Sequence, residues 1–432
     1  MSQANRDRVV VVLDDDPTGT QCVEGVRVLL DPQADPASAL VDSDALYILT
    51  NTRAYEESSA VELLRTLRTS VEAAAAREGR EVEFVLRGDS TLRGHVFAES
   101  DVFGAADGVL VFVPAFPAAG RTTVGGVHHV EVGGVRLVAA DTEFAADPVF
   151  GYSARTMVEW VREVGDRPAV VVPLDVVRRK PTQIAEVIRS ARPGTAVVPD
   201  VETDGDLALV SAALDRARRL GASVVLRCAA PLAARRAHHH AAALLPAPIA
   251  RVDGGTLVVC GSHTSASSRQ LAALATTLEV PVRSLSTAAA LADSGRAGGQ
   301  IGRVLTDDLR RHGVAILASE RTRQPTHASL HHGAQVMRAL CEAVTVVRDQ
   351  VTAVIAKGGI TSAEVAVRGL GAATARVRGP LLTGVPVWDL LAGADNTIAY
   401  AVVPGNVGDD QTLVDVARPF GLGPARPHEE RA

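Results

Sequence analysis

Short apolar runs that each end in a polar loop constrain the fold of this chain more than any other feature. Val9–Leu13 leads into the loop DDDPTGTQ, and Val82–Leu86 leads into RGDSTLRGH. Comparable runs begin at Leu46, Val109, Thr256, Val351 and Ile398. Runs without polar alternation predict strands buried on both faces, and helix-like segments between them predict parallel pairing. We therefore predict an α/β fold in which mostly parallel sheets are flanked by helices.

The length of the chain and one change of pattern indicate two domains. A chain of 432 residues exceeds one ordinary core, since domains commonly contain about 100 to 200 residues. Between Ala229 and Gly255 the pattern lapses into alanine-rich sequence punctuated by proline, which is typical of a domain boundary. The predicted arrangement is a first domain over 1–230, a linker over 231–255 and a second domain over 256–432.

Composition excludes several classes of protein. The formal net charge is −6 and 3% of residues are aromatic, so the chain lacks the basic surface and the stacking residues of a nucleic-acid binder. No apolar stretch approaches the ~18 residues of a membrane span, and the first residues lack the apolar core of a secretion signal. We expect a cytoplasmic protein that binds neither nucleic acid nor membrane. Its oligomeric state is left open, with a homo-oligomer among the options.

The cysteines and histidines do not form the pattern of a metal site. The four cysteines lie far apart without CxxC spacing, which argues against a disulfide framework and against structural zinc. The histidine-rich stretches, at 128–129, 238–240 and 331–332, consist of adjacent residues, and adjacent side chains do not share a helix face. We predict packed thiols and no metal site built from these residues.

The loops of the second half are small and polar, and each follows a strand. In KGGITSAE, Gly358 and Gly359 allow the backbone to approach a ligand closely, and TSAE from Thr361 is a capping-box pattern that predicts a helix start. Ser262 in GSHTSASS and Gly405 in PGNVGDDQ follow strands in the same way. Three such loops favour one pocket for nucleotide phosphates at a helix N-terminus. Taken alone, KGGITSAE has the alternative reading of a tight turn that only packs strand against helix.

Two common nucleotide-binding motifs are absent. The nearest stretch to a Walker A motif, Phe116–Thr123, lacks the first glycine and has Arg121 where that motif has lysine. No GxGxxG sequence follows a strand. The chain is therefore predicted to be neither a P-loop NTPase nor a typical dinucleotide-binding protein.

The first half places charged side chains in the corresponding loops. Asp14, Asp15 and Asp16 directly follow an apolar strand, and adjacent carboxylates repel one another unless a metal ion or a cationic ligand offsets the repulsion. The other three loops contain Arg53, Arg87, Arg93 and Arg121. Arginines that converge at one sheet edge would hold a carboxylate or phosphate by bidentate hydrogen bonds, although each one alone could be a surface charge.

Asp89 and Ser90 in RGDSTLRGH complete the candidate residues of the first domain. Either one could orient or deprotonate the hydroxyl group of a substrate, as phosphoryl transfer requires. An arginine-bearing domain paired with a glycine-loop domain predicts a kinase that acts on a small hydroxylated acid.

Taken in order, these motifs resemble the four-carbon acid sugar kinase family. The resemblance extends from Leu13 to about Leu413 through DDDPTGTQ, TNTR, RGDSTLRGH, PAFPAAGRTT, GSHTSASSRQ, KGGITSAEVA and PGNVGDDQ. It implies an N-terminal substrate-binding domain and a C-terminal nucleotide-binding domain. The implied reaction uses ATP and Mg²⁺ to phosphorylate a tetronic acid, such as threonate, erythronate or an oxo-tetronate, at the C4 hydroxyl.

Carried to this chain by position, the resemblance also implies roles for individual residues. The implied ATP contacts are Ser262, Gly358, Gly359, Ile360, Thr361 and Gly405. The acid sugar is implied to lie near Asp15, Asp16, Arg53, Asp89, Ser90 and Arg93, and of these we predict that Asp15 and Asp89 are catalytic. The chain departs from many members at Ile360, where they have an acidic residue, and in DDPTG, where they have DDFTG or DDLTG.

Two other functions agree with parts of the sequence. Asp14–Thr20 reads DxDxTGT, the nucleophile motif of haloacid-dehalogenase-type phosphatases, with Asp14 as nucleophile and with Lys180, Asp200 and Asp204 as the later lysine and acidic pair. This reading leaves the three glycine-containing loops unexplained. A sugar-acid binding module without catalysis would not need a separate nucleotide domain.

Overall fold

The chain divides into two compact units, residues 1–241 and residues 242–432, in a computed structural model. The structure describes residues 8–41, 43–249, 254–321, 330–391, 397–405 and 407–423. The segment predicted as a linker, 231–255, begins inside a helix of the first unit, Ala230–Arg236. No helix of the described residues is long and apolar enough to cross a membrane.

A parallel sheet forms the centre of the first unit. Its strands are Arg8–Asp14 (β1), Arg27–Leu29 (β2), Ala45–Leu49 (β3), Glu81–Arg87 (β4), Val109–Val113 (β5), Ala169–Val172 (β9), Ala196–Pro199 (β10) and Val224–Cys228 (β11). Their order is β2-β3-β1-β4-β11-β5-β10-β9. Strands β2 and β3 lie on one side of β1, and β4 and all later strands of this sheet lie on the other, so the strand order reverses at β1. In open parallel sheets, ligands bind beyond the carboxyl ends of the strands at such a point.

A small antiparallel sheet, which the sequence pattern did not predict, follows β5. It consists of Arg121–Val124 (β6), Val127–Val132 (β7) and Val135–Val138 (β8). The helices of the first unit are Ala37–Leu40 (α1), Glu57–Arg77 (α2), Val96–Val102 (α3), Met157–Gly165 (α4), Leu174–Arg179 (α5), Pro181–Ser190 (α6), Asp204–Arg219 (α7) and Ala230–Arg236 (α8).

The core of the first unit is made by alternate faces of these strands and by aromatic packing. Val9, Val11 and Leu13 of β1 belong to one buried cluster. The Phe112 ring of β5 stacks on Trp160 of α4, with centroids 5.1 Å apart. Both faces of β1 are buried, as an uninterrupted apolar run requires.

The second unit has its own mixed sheet. Its strands are Gly255–Cys260 (β12), Val282–Leu285 (β13), Val314–Ser319 (β14), Val351–Lys357 (β15), Thr374–Leu382 (β16), Val385–Leu391 (β17) and Thr397–Val403 (β18). The order is β13-β14-β12-β15-β18-β17-β16, parallel except for the pairs made by β17. The helices are Ser265–Leu278 (α9), Thr287–Ala292 (α10), Ser294–His312 (α11), Leu330–Val347 (α12), Gly359–Glu364 (α13) and Thr412–Ala417 (α14). Strand order reverses between β12 and β15.

The predicted fold class is confirmed, since each unit contains a mostly parallel sheet with flanking helices. All seven apolar runs are strands, and each strand begins within one residue of the predicted start. The helix predicted to start at Thr361 was placed wrongly. It begins at Gly359 after an N-cap at Gly358 that makes no side-chain cap bond, because the chain turns into the helix directly at the glycine.

Candidate active site

The end of β1 meets the end of β4 in the interior of the first unit. Asp14 lies opposite Arg87 in parallel register. The Nη1 group of Arg87 donates to Asp14 Oδ1 at 3.0 Å and to Asp15 Oδ1 at 3.4 Å. All three residues are buried. The arginine therefore neutralises the start of the acidic loop from below the protein surface.

A second buried arginine comes from the next strand of the sheet. Arg227 of β11 donates through Nη2 to Asp15 Oδ2 at 3.1 Å and also pairs with Glu99 of α3. Charged groups this deeply buried persist only when they are paired, so these contacts hold the sheet edge in one arrangement. The carboxylate of Asp15 thus lies beneath the loops and is 1% exposed.

Partly exposed residues form an outer layer over this buried set. The Arg53 guanidinium pairs with Asp16 at 2.5 Å and with Asp89 at 3.8 Å. Arg93 donates to Asp89 Oδ2 at 2.8 Å and lies 3.7 Å from Asp147. The side chains of Asp16, Arg53, Asp89 and Arg93 are between 11 and 23% exposed. These are the members of the cluster that a ligand can reach.

The carboxylates of this cluster differ in acidity. Burial raises the pKa of Asp14 to about 7, despite the opposing effect of Arg87. Burial also acts to raise the pKa of Asp89, but Arg53 and Arg93 outweigh it, so that pKa lies below its usual value. Asp89 is therefore a weak proton acceptor, while Asp14 carries a proton over much of the acidic range.

Arginines offset the repulsion within the acidic loop. Asp14, Asp15 and Asp16 all have arginine partners within 3.5 Å. In the part of the chain that the structure describes, no group of three or more His, Cys, Asp and Glu residues is arranged to hold a metal ion.

The loop after β4 has a strained path that wraps the buried arginine. Leu92 has φ +70°, a conformation that costs a bulky residue on the order of 1 kcal/mol or more. At Gly94, where φ is +124°, an added Cβ would lie 3.3 Å from Arg227 Nη2. Strain of this kind is often stored at functional sites. Along this path Arg93 comes within hydrogen-bonding distance of Asp89.

His128 ties the same loop to the small antiparallel sheet. Its Nε2 lies 2.9 Å from Ser90 O and its Nδ1 2.9 Å from Thr123 Oγ1. A carbonyl only accepts, so Nε2 carries the proton and Nδ1 accepts from the threonine. Burial lowers the pKa of His128 to about 4, which keeps this pattern intact near neutral pH. These two hydrogen bonds give His128 a structural role.

The residues invoked for a phosphatase do not assemble around Asp14. Asp200 accepts hydrogen bonds from the backbone N–H groups of Gly125, Gly126 and Leu174, and so secures the turn between β6 and β7. Lys180 is exposed between α5 and α6. Asp14 itself is 2% exposed and its carboxylate fills the space beside Gly19, where a Cβ would be 2.1 Å away.

In the second unit, strands β12, β15 and β18 end at the same level of the sheet, and the loops that follow them lie next to one another. Cys260 lies opposite Lys357, and Lys357 opposite Val403. The Ser262 amide donates to Lys357 O at 3.3 Å, and the Gly358 amide donates to Val403 O at 2.8 Å. The three predicted loops therefore lie side by side at one edge of the sheet.

Side-chain hydroxyls and glycines close the gaps between these loops. Ser267 Oγ lies within hydrogen-bonding distance of both Ser262 Oγ, at 2.9 Å, and Gly405 O, at 3.2 Å. A Cβ at Gly405 would lie 2.8 Å from Ser262 Oγ, and Gly358 has φ +114°. Only glycine fits both positions without displacement. Thr361 is buried, while Ile360 is 53% exposed beside Gly359.

Two basic residues near these loops were not singled out from the sequence. Lys357 is fully buried and donates to Pro404 O at 2.6 Å, and burial lowers its pKa to about 8. Arg321, which follows β14, donates to Ser262 O and to Ser268 Oγ. A charged residue at the end of an apolar run could have identified Lys357, which ends the run AVIAK. The same signal, in the run VVLRC, could have identified Arg227 in the first unit.

Comparison with known protein families finds one match in each unit. Residues 10–236 match the sugar-binding N-terminal domain, and residues 257–413 match the nucleotide-binding C-terminal domain. The chain belongs to the four-carbon acid sugar kinase family. The family predicted from the loop motifs, a family of carbohydrate kinases, is thereby confirmed.

Two named kinases align with about two thirds of the chain. The D-threonate kinase of Cupriavidus necator is 30% identical over 313 residues, which cover 66% of this chain and 68% of the relative. The D-erythronate kinase of Heliobacterium modesticaldum is 29% identical over 283 residues, which cover 61% of this chain and 60% of the relative.

Solved structures share the fold at low identity. A protein from Salmonella typhimurium LT2 matches with a TM-score of 0.71 at 16% identity, over 96% of this chain and 99% of its own. A Haemophilus influenzae protein matches with a TM-score of 0.63 at 17% identity, over 95% of this chain and 100% of its own. These matches establish the architecture of this acid sugar kinase family member.

Proposed function

We propose that the chain transfers the γ-phosphoryl group of ATP to the C4 hydroxyl of a four-carbon acid sugar, such as threonate, erythronate or an oxo-tetronate. The observation that supports it most is the match of two domains, sugar-binding and nucleotide-binding, in a chain whose relatives are a D-threonate kinase and a D-erythronate kinase. The first unit offers charged donors and acceptors for a hydroxy acid, and the second offers glycine loops for phosphates.

In the proposal, the outer layer of the first unit binds the sugar. Asp16, Arg53, Ser90 and Arg93 contact substrate hydroxyl groups, because these side chains are the reachable ones. Asp89 accepts a hydrogen bond from the attacking hydroxyl and orients it; its lowered pKa favours orientation over early proton removal. Asp15 acts from below by holding Arg53, Arg87 and Arg227 in place.

The loops of the second unit bind the nucleotide in this proposal. Main-chain N–H groups of Gly359, Ile360 and Thr361 contact the phosphates. Gly358, whose own N–H group donates to Val403 O, allows the phosphates to approach, and Ser262 and Gly405 close the neighbouring side. Glycines at these points allow a phosphate to reach the backbone N–H groups. Transfer then depends on position and electrostatics, as in other phosphoryl transfers.

Magnesium enters the proposal as the counter-ion of the ATP phosphates. The acidic loop does not fit as its protein ligand set, since each of its carboxylates already pairs with an arginine. Mg²⁺ commonly retains several water ligands and binds through substrate phosphates with few protein carboxylates.

The test is a substrate screen with product identification. Purified protein with ATP and MgCl₂ is incubated with D- and L-threonate, D- and L-erythronate and the 2- and 3-oxo-tetronates, and ADP is measured. We expect ADP formation with one subset of the acids and a product whose ³¹P resonance couples to the C4 protons. Absence of ADP with every acid would refute the substrate class, and coupling to another position would refute the C4 assignment.

A second arm separates the kinase from the phosphatase alternative. Protein incubated with γ-labelled ATP and quenched in acid should carry no stable label, because the buried Asp14 is bonded to Arg87 and does not attack phosphorus. An acyl phosphate on Asp14 would overturn the kinase proposal.

A further inference from the structure

Most arginines at the carboxyl edge of the first sheet are already neutralised. Arg87 pairs with Asp14 at 3.0 Å, and Arg227 pairs with Asp15 at 3.1 Å. Arg53 and Arg93 share the Asp89 carboxylate and each has a further carboxylate partner. A substrate carboxylate at any of them has to compete with a fixed internal partner.

Arg121, the first residue of β6, differs from these four. Its Nη1 donates to Ala119 O, and among the residues that the structure describes no carboxylate lies within the 4.0 Å of an ion pair. Its Nε is buried without an acceptor, as are those of Arg53, Arg87 and Arg227, so the missing carboxylate partner is what sets Arg121 apart. Burial lowers the pKa of Arg121, because the nearby charges of Asp89 and Glu131 compensate only in part. A half-buried guanidinium in this state is stabilised by an incoming anion.

The backbone holds Arg121 against the loop that carries Asp89. Its N–H donates to Phe116 O at 3.0 Å, and it accepts from Phe116 N at 2.8 Å. Thr123, two residues on and on the same side of the strand, hydrogen-bonds His128, which in turn bonds Ser90 O. The strand of Arg121 is thus fastened to the loop of the proposed substrate site.

We propose that Arg121 binds the carboxylate of the substrate and is the residue that selects acids over neutral four-carbon sugars. This inference rests on the proposed function, which supplies the acid sugar as the ligand of this unit. The planar guanidinium matches a carboxylate with two parallel hydrogen bonds. With the carboxylate held at Arg121, the hydroxyl groups of a four-carbon chain extend toward the Asp89 and Ser90 loop.

The test compares binding and turnover in matched variants. D-threonate and D-erythronate are titrated calorimetrically, without ATP, into wild type, Arg121→Gln, Arg121→Lys and the control Arg136→Gln. Arg136 is an exposed arginine on β8 of the same small sheet. We expect Arg121→Gln to weaken acid binding about 10- to 100-fold, the scale for losing a hydrogen bond to a charged group. Arg121→Lys should recover part of it, and Arg136→Gln should match wild type.

Each outcome separates this inference from the proposed function. Equal acid affinity in wild type and Arg121→Gln overturns the inference, and so does a lowered kcat at unchanged acid KM or a raised KM for ATP alone. Acid binding that Arg121→Gln abolishes, in a protein that never forms ADP, supports the carboxylate assignment and refutes the kinase. If wild type forms ADP and Arg121→Gln has the same KM for the acid, the kinase is supported and the carboxylate assignment is refuted. Failure of wild type to bind any acid overturns both.

Discussion

Arg227 and Asp15, which are 212 residues apart in sequence, form an ion pair of 3.1 Å with side chains that are each 1% exposed. The pair joins the end of β11 to the loop after β1. Because Asp15 also contacts Arg53 and Arg87, this single contact connects the buried layer of the site with the layer that a ligand reaches.

Arg227→Met should destabilise the protein strongly. The substitution leaves the buried Glu99 without its arginine partner and Asp15 with two arginine partners instead of three. Removing one member of a buried ion pair costs about 3–5 kcal/mol. Urea unfolding followed by circular dichroism measures the loss. Arg155→Met is the control, since Arg155 and Asp141 form an exposed pair, and its midpoint should equal that of wild type. Similar midpoints for the two variants would contradict a structural role for the Arg227 pair.

Asp14 should make stability depend on pH in a defined direction. Its folded pKa of about 7 exceeds the ordinary aspartate value of 3.8, so between these values the native state binds a proton that the unfolded state has released. Stability therefore falls as pH rises from about 4 to 7. Asp14→Asn should remove this component, so the difference in melting temperature, variant minus wild type, grows from pH 5 to pH 8.

Asp16→Asn is the control for that titration. The pKa of Asp16 is lowered, because Arg53 and Arg87 outweigh the effect of burial. Ionisation of Asp16 therefore contributes no change in stability between pH 5 and pH 8. A constant difference for Asp14→Asn across this range would show that Asp14 is ionised throughout.

Gly358→Ala should weaken nucleotide binding at the glycine loops. The added Cβ would lie 3.2 Å from Thr361 Oγ1 and 3.3 Å from the Ser262 backbone nitrogen, in a residue with φ +114°. We expect ADP affinity to fall about tenfold or more, because the loop must shift away from the phosphates. Calorimetric titration with ADP provides the measurement.

Gly371→Ala is the matched control. Gly371 also has positive φ, at +72°, but its added Cβ meets no atom within 4 Å. It should lose about 1 kcal/mol of stability from backbone strain and keep the ADP affinity of wild type. Equal ADP affinities in wild type and Gly358→Ala would mean that the loop is only a structural turn.

Lys357→Met should weaken nucleotide binding but leave the stability of the protein nearly unchanged. Lys357 donates to Pro404 O at 2.6 Å and so positions the loop that contains Gly405. Loss of this bond should lower ADP affinity about tenfold, the value of roughly one hydrogen bond from a charged donor. The melting temperature should change little, since the substitution also removes the cost of burying an amine. Lys180→Met, at the other lysine of the chain, should change neither quantity.

Local pattern was enough to predict the strands and the loops. The runs Val9–Leu13 and Val351–Ala356 are apolar at every or nearly every position, and burial on both faces of a parallel sheet leaves such sequences few alternatives. The carboxyl ends of parallel strands share one edge, so the convergence of Asp16, Arg53, Asp89 and Arg93 followed from the same reasoning. The small sheet of β6 to β8 was missed because its strands are short and partly exposed.

The sequence by itself determined the fold class, the two sets of loops and the family of this protein. Only the tertiary structure decided which charges remain available to a ligand. Arg87 and Arg121 look alike as strand-end arginines, yet the first is neutralised by Asp14 and Asp15 while the second has no carboxylate within 4.0 Å among the described residues. Electrostatic energy depends on distance and burial in space, and these are set by strands brought together from positions far apart in the chain.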